Sequence, residues 1–129
     1  MKIAALIARI LLGLVFFVFG LDKFHPFLSK GAALPPGVAG QFMGALMSSK
    51  YILFVGAFET VGGLLLVLNR FVPLALCLLA PIIVNILIVG LLLTQQALVP
   101  GLVVALLWIV LFIRFRSAFS GIFQAKLNA

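Results

Sequence analysis

This 129-residue sequence has very few acidic residues: only Asp22 and Glu59, against nine lysines and arginines. Charged residues make up 9% of the chain, whereas a soluble domain typically carries about 25%. Hydrophobic residues make up 66%, and the mean hydropathy is +1.43. A soluble globule of this composition would leave most of its surface apolar. The sequence therefore predicts one domain, over residues 1–129, whose solvent is the lipid bilayer.

Cysteine and histidine are equally scarce, because Cys77 and His25 are the only ones. A single cysteine excludes an intramolecular disulfide and a C-x-x-C redox pair. A single histidine excludes most multi-histidine metal or haem sites. We therefore expect no metal site and no covalently bound cofactor. No basic cluster stands on a soluble element, so the sequence predicts no nucleic-acid binding either.

Four apolar runs, at 3–21, 51–68, 72–93 and 98–113, approach the ~20 residues that a membrane-spanning helix needs. Transmembrane strands would show alternating segments of about 10 residues, which are absent, so the runs are interpreted as helices. The first run could also be a signal peptide. No small-x-small cleavage site follows it, which favours an uncleaved helix. The predicted fold is all-α, a bundle of four transmembrane helices.

The long connection between the first two helices contains a shorter helical pattern. The Pro-Pro-Gly sequence at 35–37 breaks the chain, and Val38, Phe42, Ala45 and Leu46 then recur on one face of a helix. This spacing predicts a short interfacial helix between helices 1 and 2. It could rest on the membrane surface, or it could cover the bundle as a lid.

The basic residues predict the orientation of the bundle. Four spans place both termini on the same side as the turn at 69–70. That side collects Lys2, Arg9, Arg70, Arg114, Arg116 and Lys126, and the opposite side holds Lys23, Lys30 and Lys50. The positive-inside rule then predicts both termini in the cytoplasm, in a bacterial-type inner membrane. Membrane topology and contact with lipid headgroups explain the net charge of +7.

Four polar residues fall within or near the membrane spans. Glu59 lies about 12 Å from the start of its helix, and Asn85 lies at a matching depth. Two cations bracket Glu59 along the membrane normal. Lys23 lies roughly a dozen ångströms above it and Arg9 roughly ten below, so either cation could pair with it. The sequence predicts that Arg9, Lys23, Glu59 and Asn85 form a polar core. An ionisable residue at this depth suggests a functional site, although a structural ion pair that sets helix register is the alternative.

Small residues lie on the same helix faces as these charged residues. Gly13 and Gly20 lie on the stripe of Arg9, and Gly56 and Gly63 lie on the stripe of Glu59. Such stripes let helices approach closely, which predicts antiparallel packing of the first two spans. The same interpretation predicts that replacement by leucine lowers thermal stability less at Gly90 or Gly101 than at Gly20 or Gly63.

The segment ARILLGLVFFVFGLDKF, with Arg9, Gly13, Gly20, Lys23 and Phe24, resembles the first helix of the DoxX family. The resemblance continues through ETVGG, NRFVPL, APIIVNI and the basic, aromatic tail that begins at Trp108. Family members often carry a histidine five residues after the asparagine of the third helix, where this sequence has Gly90. A proton or metal role of that histidine therefore does not transfer to this chain.

The resemblance implies a four-helix membrane bundle similar to the small subunit of a thiosulfate:quinone oxidoreductase. It favours an accessory subunit of a quinone-linked oxidoreductase, with a protein partner in or on the membrane. Arg9 or Lys23 would then line a quinone-headgroup pocket with Asn85 and Glu59, and Glu59 would be the catalytic proton carrier. Distant relatives imply the alternative, a non-enzymatic chaperone or scaffold that binds a partner's transmembrane segment. Whether the chain itself catalyses a reaction stays open, and a transporter would require it to oligomerise.

Overall fold

A computed structural model describes residues 2–27 and 33–126, and Lys30 lies outside these ranges. The helices are α1 (Lys2–Phe24), α2 (Gly37–Ser48), α3 (Tyr51–Leu68), α4 (Val72–Leu92) and α5 (Leu98–Arg114), with 3₁₀ helices at Gln95–Ala97 and Arg116–Phe119. No strand occurs in the described ranges. Four helices, α1, α3, α4 and α5, are long and apolar enough to cross a membrane. The all-α prediction and its short helix between the first two spans are confirmed.

The turn between α3 and α4 shows how the sequence ends one span and starts the next. Asn69 takes a left-handed conformation (φ 57°), which asparagine tolerates better than most residues. The N–H of Arg70 then reaches back 3.0 Å to the carbonyl of Leu65, satisfying an otherwise free helix end. Pro73 stands in the first turn of α4, where its missing N–H costs least. A turn this short forces α3 and α4 to be antiparallel neighbours.

The closest helix pair in the bundle is α1 against α3, and glycines make it possible. A Cβ atom built on Gly63 would lie 2.6 Å from the carbonyl oxygen of Gly13, and one on Gly20 would lie 2.9 Å from that of Gly56. Only hydrogen atoms fit in these gaps, so the two backbones touch. Residue numbers run in opposite directions across the contact, which confirms the predicted antiparallel glycine seam.

The buried apolar core fills only one half of the bundle. Its members include Leu12 and Phe16 of α1, Leu66 of α3, Leu79 of α4 and Leu111 of α5. We call this half the basic end, because Lys2, Arg9, Arg70, Arg114, Arg116 and Lys126 lie there. The opposite half, the α2 end, carries α2 and the outer turns of α3 and α4, and it is hollow.

Candidate functional site: a cavity beneath α2

The hollow half contains a cavity of about 580 Å³, here called the α2 cavity. α2 contributes Phe42, Met43, Ala45 and Leu46 to its lining. Three members of the predicted apolar face of α2 therefore line the cavity, although Phe42 and Ala45 stay partly exposed, and the fourth member, Val38, does not reach it. The walls are mostly apolar. Its polar lining comes from Lys23, Ser49, Tyr51, Glu59 and Asn85.

An ion pair closes one side of the cavity. Glu59 is only 4% exposed, and its Oε1 lies 2.7 Å from Nζ of Lys23, whose side chain is 23% exposed. Oε1 is itself buried, and the lysine ammonium is its counter-charge. The carboxylate is therefore neutralised by Lys23 at the wall of the cavity, which both residues line.

The packing of α1 on α3 explains why Lys23 and not Arg9 pairs with Glu59. Thr60 packs against Gly20, so the adjacent Glu59 lies level with Gly20. Along α1, Lys23 is then only three residues away, about 5 Å, whereas Arg9 is eleven residues away, about 16 Å. The sequence-based estimate that Arg9 is slightly nearer was wrong, because the glycine seam shifts the register of the two helices.

Arg9 instead binds the end of α3. Its guanidinium donates to the carbonyl oxygen of Leu66 and, at 3.1 Å, to that of Val67. These carbonyls belong to the last turn of α3, where the helix dipole favours a cation. The structure therefore places Arg9 outside the cavity, as a cap on α3.

Replacing Arg9 should consequently change stability and not the cavity. We expect Arg9→Gln to lower the free energy of unfolding by about 2 kcal/mol, because charge-assisted hydrogen bonds to helix-end carbonyls are lost. Denaturant titration in detergent micelles measures this, with Lys2→Gln as the control for loss of a basic-end charge. An Arg9→Gln variant as stable as the Lys2→Gln variant would contradict the capping role.

Asn85 lies at the margin of the cavity and not in the bundle interior. The core-facing residue of this part of α4 is Ile83, 5% exposed, and Asn85 stands about 200° around the helix from it. Asn85 is accordingly exposed. It nevertheless lines the α2 cavity together with Lys23 and Glu59, so three of the four predicted polar residues share one cavity.

Sequence reasoning missed other polar residues of this end. Ser49 and Tyr51 line the cavity because the chain between α2 and α3 folds over it. Asp22 is 8% exposed and accepts a 2.7 Å hydrogen bond from the N–H of Phe27. The signal for Asp22 was its position just before His25 and Pro26, where the chain leaves the helix and free backbone N–H groups need acceptors.

Comparison with family models matches the DoxX model over residues 4–112. The chain belongs to the DoxX family. The match spans all four apolar helices, so this DoxX protein is a multi-pass membrane protein. Comparison with curated proteins and with solved structures finds no match. The family match therefore supports the architecture of the four-helix bundle.

Proposed function

We propose that this DoxX protein is an accessory membrane subunit of a quinone-linked oxidoreductase and that its α2 cavity receives a quinone headgroup. One observation carries the proposal: an apolar cavity of about 580 Å³ that ends on the ion pair of the buried Glu59 with Lys23. Sites for small organic ligands are typically ~300–1,000 Å³, apolar, and oriented by a few polar groups. A quinone ring combines a flat apolar body with carbonyl oxygens at its edge, and so matches both features.

The polar groups of the cavity fit both redox forms of such a ring. The ammonium of Lys23 can donate to a quinone carbonyl oxygen. The carboxylate of Glu59, which lines the cavity, can accept from the hydroxyl of the reduced form. A bound quinone would supply the two-electron, two-proton chemistry. Glu59 would hold and move a proton at its carboxylate, and Lys23 would compensate its charge when the proton leaves.

The electrons come, in this proposal, from a partner redox protein in or on the membrane. The chain has one cysteine and one histidine, too few for most protein-held redox metals. It would therefore present the quinone to the partner while lipid and α2 keep water away from the ring. This is the sense in which the protein is a subunit and not a complete enzyme.

Ligand-linked stability tests the quinone site. Decylubiquinone added to the delipidated protein in micelles should stabilise the wild type by about 2.7 kcal/mol at a hundred times its Kd. Glu59→Gln and Lys23→Gln should each lose most of that gain. Arg9→Gln, less stable from the outset, should keep it because Arg9 is outside the cavity. A wild type that is not stabilised, or a Glu59→Gln variant that responds fully, would overturn the proposal.

A non-enzymatic scaffold that grips a partner's transmembrane segment is the second candidate. The exposed amide of Asn85 on the lipid-facing side of α4 favours it, because amides in hydrocarbon bind other helices. A photo-crosslinker at Ile88, one turn away on the same side, should capture a membrane partner in native membranes. If Asn85→Leu abolishes this crosslink to the partner while decylubiquinone still stabilises the variant, the scaffold function is favoured.

The proposed localisation is the bacterial inner membrane with the basic end in the cytoplasm. Six basic residues lie at that end, whereas the described part of the α2 end has Lys23 and Lys50. In a Cys77→Ala background, Ser120→Cys should react only with a thiol reagent added from the cytoplasmic side. Ser48→Cys, next to α3, should react only from the outside. The reverse pattern would show that the orientation is inverted.

A further inference from the structure

We infer that a second site, at the basic end, binds an anionic phospholipid, with an acyl chain in an aromatic cleft beside α4 and its phosphate at Arg114 and Arg116. The inference does not depend on the quinone proposal, since the two cavities meet only at Asn85. It assigns a ligand to the basic, aromatic tail of the chain, which the proposed function does not use.

The cleft has a volume of about 550 Å³ and lies between α4, α5 and the segment after α5. We call it the aromatic cleft. Trp108, Phe112, Phe119 and Phe123 line one side of it. Trp108 stacks on Phe112 at a centroid distance of 5.3 Å, while Phe119 is tilted against Phe112 at 5.1 Å and Phe123 meets it edge to face at 6.2 Å. The indole of Trp108 is held by a 2.9 Å hydrogen bond to the carbonyl of Leu76. The aromatic wall is thus built into the bundle.

The shape of the aromatic cleft suits an acyl chain better than a protein helix. Along α4 the cleft runs from Cys77 to Asn85, which is about 12 Å. The same length of helix, 10–12 Å across, fills on the order of 1,000 Å³, about twice the volume of the cleft. A single extended hydrocarbon chain is much thinner than a helix and can lie in the cleft.

Charge decides which lipid the site takes. Both acidic residues of the chain, Asp22 and Glu59, lie at the α2 end, so the basic end has six cations and no carboxylate side chain. Arg114 and Arg116 follow the cleft residue Phe112 and precede the cleft residue Phe119, at the end of the aromatic wall. Both are exposed, and Arg114 is positioned over the Phe115 ring. A phosphate at the membrane surface is the counter-charge that this arrangement lacks.

The test is binding of phosphatidylglycerol, compared with phosphatidylcholine at the same mole fraction, to the delipidated full chain in dodecyl maltoside micelles. Native mass spectrometry gives the bound lipid, and thermal unfolding gives its stabilising effect. Wild type should retain phosphatidylglycerol selectively. Arg114→Gln with Arg116→Gln should weaken its apparent affinity roughly 30-fold, the combined effect of two surface cations. Lys50→Gln, which removes a charge at the α2 end, should change it little.

Steric variants test whether the acyl chain lies in the cleft. Val84 lines the cleft and is 52% exposed, so Val84→Trp fills the space without entering the core. Ile88 is similarly exposed at 46% and lines neither cavity, which makes Ile88→Trp the matched control. We expect Val84→Trp to lose phosphatidylglycerol and Ile88→Trp to keep it. Three results would each overturn the site. The wild type could bind both lipids equally, the double arginine variant could bind phosphatidylglycerol as well as the wild type, or Val84→Trp could bind it fully.

Discussion

The Gly63→Leu variant is expected to lose at least ~3 kcal/mol of unfolding free energy, the largest effect predicted for a single substitution in this protein. A Cβ atom at position 63 would lie 2.4 Å from the backbone nitrogen of Phe17 and 2.6 Å from the carbonyl oxygen of Gly13. Backbone atoms of a helix cannot rotate away as a side chain can. α1 would have to separate from α3, and the Lys23–Glu59 pair would separate with it. Denaturant titration in micelles measures the loss.

The control for this prediction is Gly121→Leu, because nothing lies within 4 Å of a Cβ atom there. Gly90, expected from the sequence to tolerate leucine, is not a suitable control. Its Cβ would lie 2.7 Å from Cα of Leu98 where α4 meets α5, so Gly90→Leu should also destabilise strongly. Gly101 faces the side chains of Ile86 and Leu87 at 3.0 and 3.2 Å, which can shift. Equal stability of Gly63→Leu and Gly121→Leu would disprove the glycine seam.

Removing Lys23 and removing Glu59 from the ion pair should lower the stability of the protein by different amounts. Lys23→Met should lower the free energy of unfolding by about 3 kcal/mol, because it leaves a buried carboxyl without its cation. Glu59→Gln should lower it by only ~1 kcal/mol, because the partly exposed lysine can extend to the membrane surface. The same titration measures both. A larger loss of unfolding free energy in Glu59→Gln than in Lys23→Met would contradict the burial of Glu59.

A double variant provides the internal control for this prediction. Lys23→Met combined with Glu59→Gln removes both charges, so it should be more stable than Lys23→Met alone. The recovered free energy is the interaction between the two side chains. Strictly additive losses would mean that the 2.7 Å contact contributes nothing to stability.

Much of the architecture could be predicted from the sequence because its signals are local. A helix in lipid must satisfy its own backbone hydrogen bonds, so run length and hydropathy alone locate each span. The predicted first span ended at residue 21, whereas α1 continues to Phe24. This difference arose because Asp22 and Lys23 are polar, yet both find partners inside the fold. Hydropathy does not detect such partners.

The sequence by itself determined the four spans, the α2 helix and the glycine faces of α1 and α3, since these follow from composition and helical periodicity. Only the tertiary structure decided which cation reaches Glu59, because that depends on the register in which Gly20 meets Thr60. It also turned Asn85 away from the core, since the rotation of α4 is set by packing of Ile83 and Gly90 against other helices. The α2 cavity is likewise a property of the tertiary structure, because α1, α2, α3 and α4 each contribute to its lining.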